Sequence, residues 1–466
     1  MRHIILGAGP AGVIAAETIR KHAPYDAIVL VGDEPGPPYS RMAIPYLLAG
    51  SVDERGTHLR RDAAHFRELN IELRQARCTS VDGARRSLAL SDGSVLTFDT
   101  LLVATGSRPI RPPVPGIDLP GIHPCWTLED ARAIMAGAGR GTRVLQMGAG
   151  FIGCIIMEAL AARGVQLTVV EMGDRMVPRM MGPTAGSMIK DWCEQHGVRV
   201  HTGARVESIE RAASVPAAGA APEAPHPEGL LHKVARALGL AHDAPAPATA
   251  PAAAVPAGAL RVRLSTGQVL EADLIISATG VRPNVAFLAD SGVRCAQGVL
   301  TDDRMQSNLP GIFAAGDCAE AWDRRSGRAV ISAIQPNAAD QARVAALNMT
   351  GRPARLEQVT QINVLDTLGM VSTSFGEWQG VPGGEHVELT DRGAGRHLSL
   401  QFKDDVLVGC NSIGWTDHVG VMRGLVEGRV RLGEWKDALL RDPTQLMAAY
   451  LASAQAQAQH ALVRAA

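Results

Sequence analysis

The stretch HIILGAGPAG, residues 3–12, decides the fold, because a close copy, VLQMGAGFIG, returns at residues 144–153. Each places a G-x-G-x-x-G turn between an apolar run and a helical pattern, and each helical pattern leads into a second apolar run. In the first copy HIIL reads as a buried parallel strand, VIAAETIRKH as a helix and AIVLVGDE as the next strand. Gly7 permits the tight turn, Gly9 lets the backbone approach a pyrophosphate, and Gly12 lets helix and strand pack closely. The helix N-terminus favours the phosphate charge. At the end of the second strand an acidic side chain should meet ribose hydroxyls, with Glu34 as first choice and Asp33 as second.

The second copy reads RVLQM, GAGFIG, CIIMEALAARG, VQLTVVEM, and Gly148, Gly150 and Gly153 repeat the three roles. Glu171 falls 18 residues beyond Gly153, at the tip of the second strand. A carboxylate there accepts from a 2′-hydroxyl and repels a 2′-phosphate, which favours NAD over NADP, while Arg175 and Arg179 nearby work against that preference. Two such turns imply two dinucleotides in one chain. The pair that makes chemical sense is a flavin that stays bound and a nicotinamide that comes and goes, with electrons passing between them.

Composition agrees with a globular chain of several domains: 466 residues, 46% hydrophobic and 20% charged, exceed what one core serves. A formal net charge of -1 and the lack of a basic run interleaved with aromatics argue against nucleic acid as a partner. The start MRHIILGAG is too short in apolar residues for a signal peptide, and no apolar segment approaches the roughly eighteen residues of a membrane span. The expected location is the cytoplasm. Seven cysteines, Cys78, Cys125, Cys154, Cys193, Cys295, Cys318 and Cys410, form no C-x-x-C pair, which disfavours an iron-sulfur cluster, a thiolate zinc site or a thioredoxin-type disulfide. The histidines show no metal-ligand spacing, and no metal is expected.

Five motifs in order give the chain a family resemblance. Besides the two glycine turns it carries LLVATGSRP at 101–109, LIISATGVRPN at 274–284 and NLPGIFAAGDCAE at 308–320. With these it resembles the FAD-dependent pyridine nucleotide-disulfide oxidoreductases over all but residues 212–258. The resemblance implies crossover strands between an FAD and an NAD domain, with Thr105 and Gly106 at the FAD and Thr279 and Gly280 at the NAD. It also implies that Asp317, beside Gly316, binds the ribityl chain. PYSRMAIPYLLAG at 38–50 and QPNAADQARVAALNMTG at 335–351 are most similar to the branch holding rubredoxin reductases, the flavin part of assimilatory nitrite reductase and flavin subunits such as that of phenylglyoxylate dehydrogenase. There Gln335, Pro336 and Asn337 would lie near a helix start that points toward the flavin, and Asn337 is carried over as an FAD contact.

Two departures narrow the chemistry. Relatives that reduce peroxide, form water from oxygen or reduce coenzyme A disulfide place a redox cysteine where this chain has Met42, and no cysteine occurs before Arg77. A thioether forms neither a sulfenate nor a charge-transfer thiolate, so thiol chemistry is not expected. The family's G-x-E after the second turn is also missing, because Ile155 stands there and the nearest acid is Glu158.

The expected fold is α/β: two Rossmann-like dinucleotide-binding domains plus a C-terminal α+β interface domain. The FAD part spans 1–115 and 281–330, the NAD part 116–280, and the C-terminal part 331–466. In the last, RHLSLQFKDDVLVGCNSIG reads as two strands turning at Asp404 and Asp405, and DHVGVMRGLVEG as a helix. Residues 212–258 form an alanine- and proline-rich insert, expected to be largely disordered, between strands that should be neighbours. At its centre, 228–242 places Leu231 and Leu238 on one helical face, as a tethered docking helix would.

The leading expectation is an NADH-dependent FAD flavoprotein exchanging electrons with rubredoxin, ferredoxin or an iron-sulfur subunit. An NADH oxidase reducing oxygen directly is the alternative within enzymes. A redox-sensing or scaffold subunit is the alternative outside them. Both a homodimer and a place in a larger complex remain open.

Overall fold

A computed structural model of the chain describes residues 1–62, 64–211, 259–323, 327–359 and 362–453. The insert, with its expected docking helix at 228–242, lies outside the described residues.

Both glycine turns leave the central strand of a five-stranded parallel sheet. In the first sheet Arg2–Leu6 lies between Ala27–Gly32 and Thr100–Val103, with Ile71–Gln75 and Ile312–Ala314 at the edges. In the second Arg143–Met147 lies between Gln166–Val170 and Leu274–Ser277, with Arg199–His201 and Ile122–Pro124 outside them. Strands covered on both faces read as near-continuous apolar runs, and Ile4, Ile5, Leu6, Val29, Leu30, Val144 and Leu145 are all buried. The helix after the first turn, Pro10–His22, starts with proline, which suits a first helical turn, and ends in Arg20, Lys21 and His22, which suit the negative end of its dipole. The helix after the second turn is Phe151–Ala162.

Two short strands, Ser107–Pro109 and Val281–Pro283, pair antiparallel and carry the chain between the two parallel sheets. A third sheet is antiparallel, in the order Ile362–Thr367, Met370–Gly376, Val406–Ile413, Arg396–Lys403, Glu385–Asp391. Its last hairpin turns at Asp404 and Asp405, with Asp404 in the left-handed region at φ 52°, and the following helix is Val419–Gly428. Helix Gln335–Met349 follows residue 331, where the C-terminal part was expected to start, yet it packs on Pro10–His22. Its small residues Ala338, Ala342, Ala345 and Ala346 allow the close approach and belong to the core of the first sheet.

One hydrophobic cluster joins the segment 39–48 of the first unit to the second parallel sheet and the third sheet. Tyr39, Ile44 and Leu48 from the first half meet Met157, Met176 and Ile189 from the second, and Leu365, Met370 and Ile413 from the third sheet. Strands Val206–Arg211 and Leu260–Leu264 pair antiparallel with Arg211 opposite Leu260, so the insert leaves and re-enters at one end of a hairpin. Among the described residues no helix is long and apolar enough to cross a membrane.

Candidate functional site

The three glycines of each turn divide by what a side chain would meet. A methyl group on Gly7, at φ +111°, would stand 2.1 Å from the Ala104 carbonyl oxygen, and one on Gly12 1.8 Å from the Gly7 carbonyl oxygen. In the second turn Gly148, at φ +98°, and Gly153 meet backbone oxygens at 2.4 and 2.5 Å. A methyl on Gly9 or Gly150 meets nothing within 4 Å. The outer glycines are therefore required by the fold, and the middle ones face open space at a helix N-terminus, which is room for an anionic ligand.

Above the first turn lies a cavity of about 650 Å³, large enough for an extended cofactor. Gly7, Gly9, Asp33, Glu34, Thr105, Gly106, Gly316 and Asp317 all stand on its wall, so the structure brings these expected residues together. Gly12 does not, in keeping with its packing role. Nor does Asn337: its amide is buried and donates to Ser332 Oγ at 2.7 Å, while Gln335 occupies the wall and accepts from Ser40 Oγ at 3.0 Å. Two residues further along a helix is more than half a turn, so the side chain that follows Pro336 points into the core rather than the cavity.

A chain of contacts missed in the sequence runs along this wall. Glu34 Oε1 accepts from Arg41 Nη2 at 2.6 Å, and Oε2 accepts from the Tyr39 hydroxyl. The Arg41 guanidinium lies 5.2 Å from the centre of the Trp126 ring, whose Nε1 donates to the Ser107 carbonyl at 3.0 Å, and Ser107 Oγ donates to Asp317 Oδ2 at 2.6 Å. Burial and then the Glu34 carboxylate push the Tyr39 phenol well above its ordinary value, so it stays a donor. Burial works against the Arg41 charge, but Glu34 and Tyr39 facing it hold its pKa above the usual value. Arg41 stands on the cavity wall, and its Nε is buried with no hydrogen-bond partner among the described residues. Open space at Gly9, a guanidinium on the wall at Arg41 and an oriented carboxylate at Asp317 fit a bound FAD.

The second set gathers at the second turn, off the wall of that cavity. Glu171 Oε2 accepts from Ala149 N at 2.6 Å and Oε1 from Gly173 N at 2.7 Å, which fixes the carboxylate beside the turn. Thr279 Cα would lie 3.5 Å from a methyl on Gly148, and Gly280 follows at φ +110°. Arg175 is tied to Asp174 and to the Met181 carbonyl, so it is not free to swing toward a 2′-phosphate, whereas Arg179 is exposed. The two sets meet through one element: Phe151, Ile152, Ile155 and Ile156, on the helix that follows the second turn, line the first cavity.

Met42 is on the same wall, 49% exposed. Cys78 and Cys125 also reach it, but burial pushes their thiols up to about 11 and about 12, so both remain protonated. Glu158 is on the exposed side of its helix, away from the cavity, with its carboxyl held above the usual range first by desolvation and then by Asp366. Among the described residues no cluster of His, Cys, Asp or Glu could hold a metal ion.

The profile described as pyridine nucleotide-disulphide oxidoreductase matches residues 1–223 and 247–345. The chain is 29% identical over 445 residues to the NADH-dependent phenylglyoxylate dehydrogenase subunit epsilon of Aromatoleum evansii, across 95% of each chain. It is also 29% identical over 390 residues to an NADH oxidase of Methanocaldococcus jannaschii, across 80% of this chain and 77% of the relative. Among solved structures, a ferredoxin reductase from Rhodopseudomonas palustris superposes with a TM-score of 0.72 at 26% identity, covering 90% of this chain and 92% of the other.

Proposed function

The chain belongs to the pyridine nucleotide-disulphide oxidoreductase family, and from that premise we propose that it is an FAD-dependent oxidoreductase exchanging electrons between NAD(H) and a carrier protein. The carrier is of the rubredoxin, ferredoxin or iron-sulfur-subunit class. The observation that carries the proposal is the helix Phe151–Ala162, which begins at the second glycine turn and lines the cavity of the first, so the two dinucleotides converge on one wall. FAD, when bound, supplies the hydride acceptor and the route onward for single electrons or pairs.

The protein's own part is binding, orientation and exclusion of water. Gly9 and the helix start beyond it admit the FAD pyrophosphate, and the Arg41 guanidinium on the same cavity wall adds positive charge. Glu34, held by Tyr39 and Arg41, meets the adenosine ribose, with Asp33 beside it. Asp317, oriented by Ser107, meets the ribityl hydroxyls. Thr105, Gly106 and Gly316 close the FAD wall. Gly148, Gly150, Gly153, Thr279 and Gly280 form the NAD cradle, and Glu171 selects against a 2′-phosphate. Phe151, Ile152 and Ile155 give the meeting point an apolar lining that keeps water out. No thiol takes part, because Met42 replaces the redox cysteine and the cavity thiols stay neutral. Cytoplasmic location and a subunit role in a larger complex agree with this assignment, and the A. evansii relative is itself named as a subunit.

A second reading, direct reduction of oxygen, is favoured by the M. jannaschii relative named NADH oxidase. Anaerobic stopped-flow separates the two. Carrier transfer predicts rapid bleaching of the flavin absorbance by NADH, slow recovery in air and fast recovery with an added ferredoxin or rubredoxin. Fast recovery in air makes it an oxidase. Failure of NADH to bleach the flavin removes both and leaves a sensing or scaffold subunit.

A further inference from the structure

We propose that Asn411, on the third sheet, is a positioning residue for the nicotinamide dinucleotide: it pins the strap of residues 171–182 that starts at Glu171, and so sets the preference for NADH over NADPH. This rests on the reading that the second glycine turn holds NAD(H).

The strap runs from the ribose carboxylate to the helix Pro183–Gln195 and folds back over the turn. At its start Glu171 bonds to the turn through Ala149 N and to the strap through Gly173 N. In its middle Val177 N donates to the Ala149 carbonyl at 2.9 Å, and Arg175 Nε donates to the Met181 carbonyl at 2.9 Å. Met176, Val177, Met180 and Met181 are all buried. Val177 is held at φ +49°, a left-handed conformation that a β-branched residue adopts only when its surroundings enforce it. A strained strap needs an anchor at each end.

Asn411 is the far anchor. Its Oδ1 accepts from Gly182 N at 3.0 Å and its Nδ2 donates to the Met180 carbonyl at 3.1 Å. It lies in Val406–Ile413, the central strand of the third sheet, directly between Ser374 and Ser399, and is 2% exposed. A sheet face packed on a neighbouring layer ordinarily carries an apolar residue at its centre. An amide there is favourable because it offers one donor and one acceptor to a strap that presents one of each, the carbonyl of the buried Met180 and the N–H of the half-buried Gly182. Other contacts hold the sheet to the same helix, since Trp192 Nε1 donates to the Leu368 carbonyl and Arg392 reaches Asp191 and Ser187. Loss of the Asn411 amide therefore frees the end of the strap without undocking the sheet. With that end free, Val177 can leave its strained conformation, its bond to Ala149 loosens, and the Glu171 carboxylate loses its aim.

The test compares Asn411→Ala, Gly182→Pro and Glu171→Ala with the parent protein, measuring FAD content, melting temperature and the dissociation constants of NADH and NADPH by titration. Gly182→Pro removes the N–H that Asn411 accepts from, at a φ of −63° that suits proline, and so carries the test if Asn411→Ala does not fold. The expected result is a rise of about five- to tenfold in the NADH dissociation constant, with NADPH changed less than about twofold, in both strap variants. The ratio of the two constants is the readout that a merely stabilising residue would leave alone. An unchanged ratio, whether from no effect or from equal loss for both cofactors, overturns the role of Asn411. If Glu171→Ala itself leaves both constants unchanged, the reading of the second turn has failed instead.

Discussion

Gly9 and Gly150 are the two glycines of the turns that the fold does not need, because a side chain on either meets no protein atom within 4 Å. Substitution there should leave a folded protein and remove one cofactor at a time. Gly9→Val is expected to purify with less than about a tenth of its FAD, since the branched side chain fills the space a pyrophosphate requires. Gly150→Val should stay yellow yet show no saturable reduction by NADH. A fully loaded Gly9→Val protein, seen in the flavin spectrum after gel filtration, would remove that residue from the site. By contrast Gly12→Ala should lower stability by about 2 kcal/mol or more in a denaturant melt, because its methyl would collide with the Gly7 backbone. Glu34 and Asp33 were legible as acids at a strand end. Tyr39 and Arg41 lay within a quoted stretch, PYSRMAIPYLLAG, but nothing in it says that both would close on Glu34.

At the scale of elements, the central strand Arg2–Leu6 carries a polar residue that its apolar pattern does not call for. His3 is fully buried, with Nδ1 2.7 Å from Thr100 Oγ1 on the neighbouring strand and Nε2 2.9 Å from Asp26. Burial holds the imidazole below its ordinary value, although Asp26 opposes the shift. In the unfolded chain it titrates near about 6.5, so below that pH the unfolded state takes up a proton that the folded state refuses. The contribution is complete above about pH 6.5 and is lost as pH falls toward the depressed folded value. The buried His397 of the third sheet acts in the same direction. Melting temperature should therefore fall between pH 7 and 5, and the slope should be shallower in His3→Gln. Equal slopes in calorimetry would show that other groups dominate. The hairpin Val206–Arg211 with Leu260–Leu264 makes a second prediction. Because Arg211 faces Leu260, a short glycine-containing turn in place of 212–258 should close it, with FAD content and NADH-to-dye activity within about twofold of the parent. Loss of FAD on this deletion would mean that the insert supports the core.

Across the whole molecule, one apolar cluster takes residues from the segment 39–48 of the first unit, from the second parallel sheet and from the antiparallel one. Such shared burial couples the units, so heating should give one calorimetric transition coincident with FAD release rather than separate steps. Two resolved transitions would show the sheets to be independent. The division into two glycine-turn units and a C-terminal sheet was readable because it rests on local signals: apolar runs, glycine spacing and helical periodicity each reside in about thirty adjacent residues. The same locality is what named Gly7, Gly9, Gly148, Gly150, Glu34, Glu171 and Asp317 as candidates, since each is fixed by its distance from a turn or by a family motif. Helix Gln335–Met349 was placed by sequence position with the C-terminal part, whereas packing sets its alanines against the first helix. Asn337, expected at the flavin, is buried against Ser332 while Gln335 stands on the cavity wall, a helix rotation for which the sequence carries no signal. Ser107, Trp126, Phe151 and Asn411 are separated by many residues from the groups they orient or meet. The sequence by itself determined what is local, two glycine turns between strand and helix with an acid at the end of each following strand. Only the tertiary structure decided which side chains aim those cradles at each other, because contacts between distant segments depend on how sheets and helices pack and leave no periodic trace along the chain.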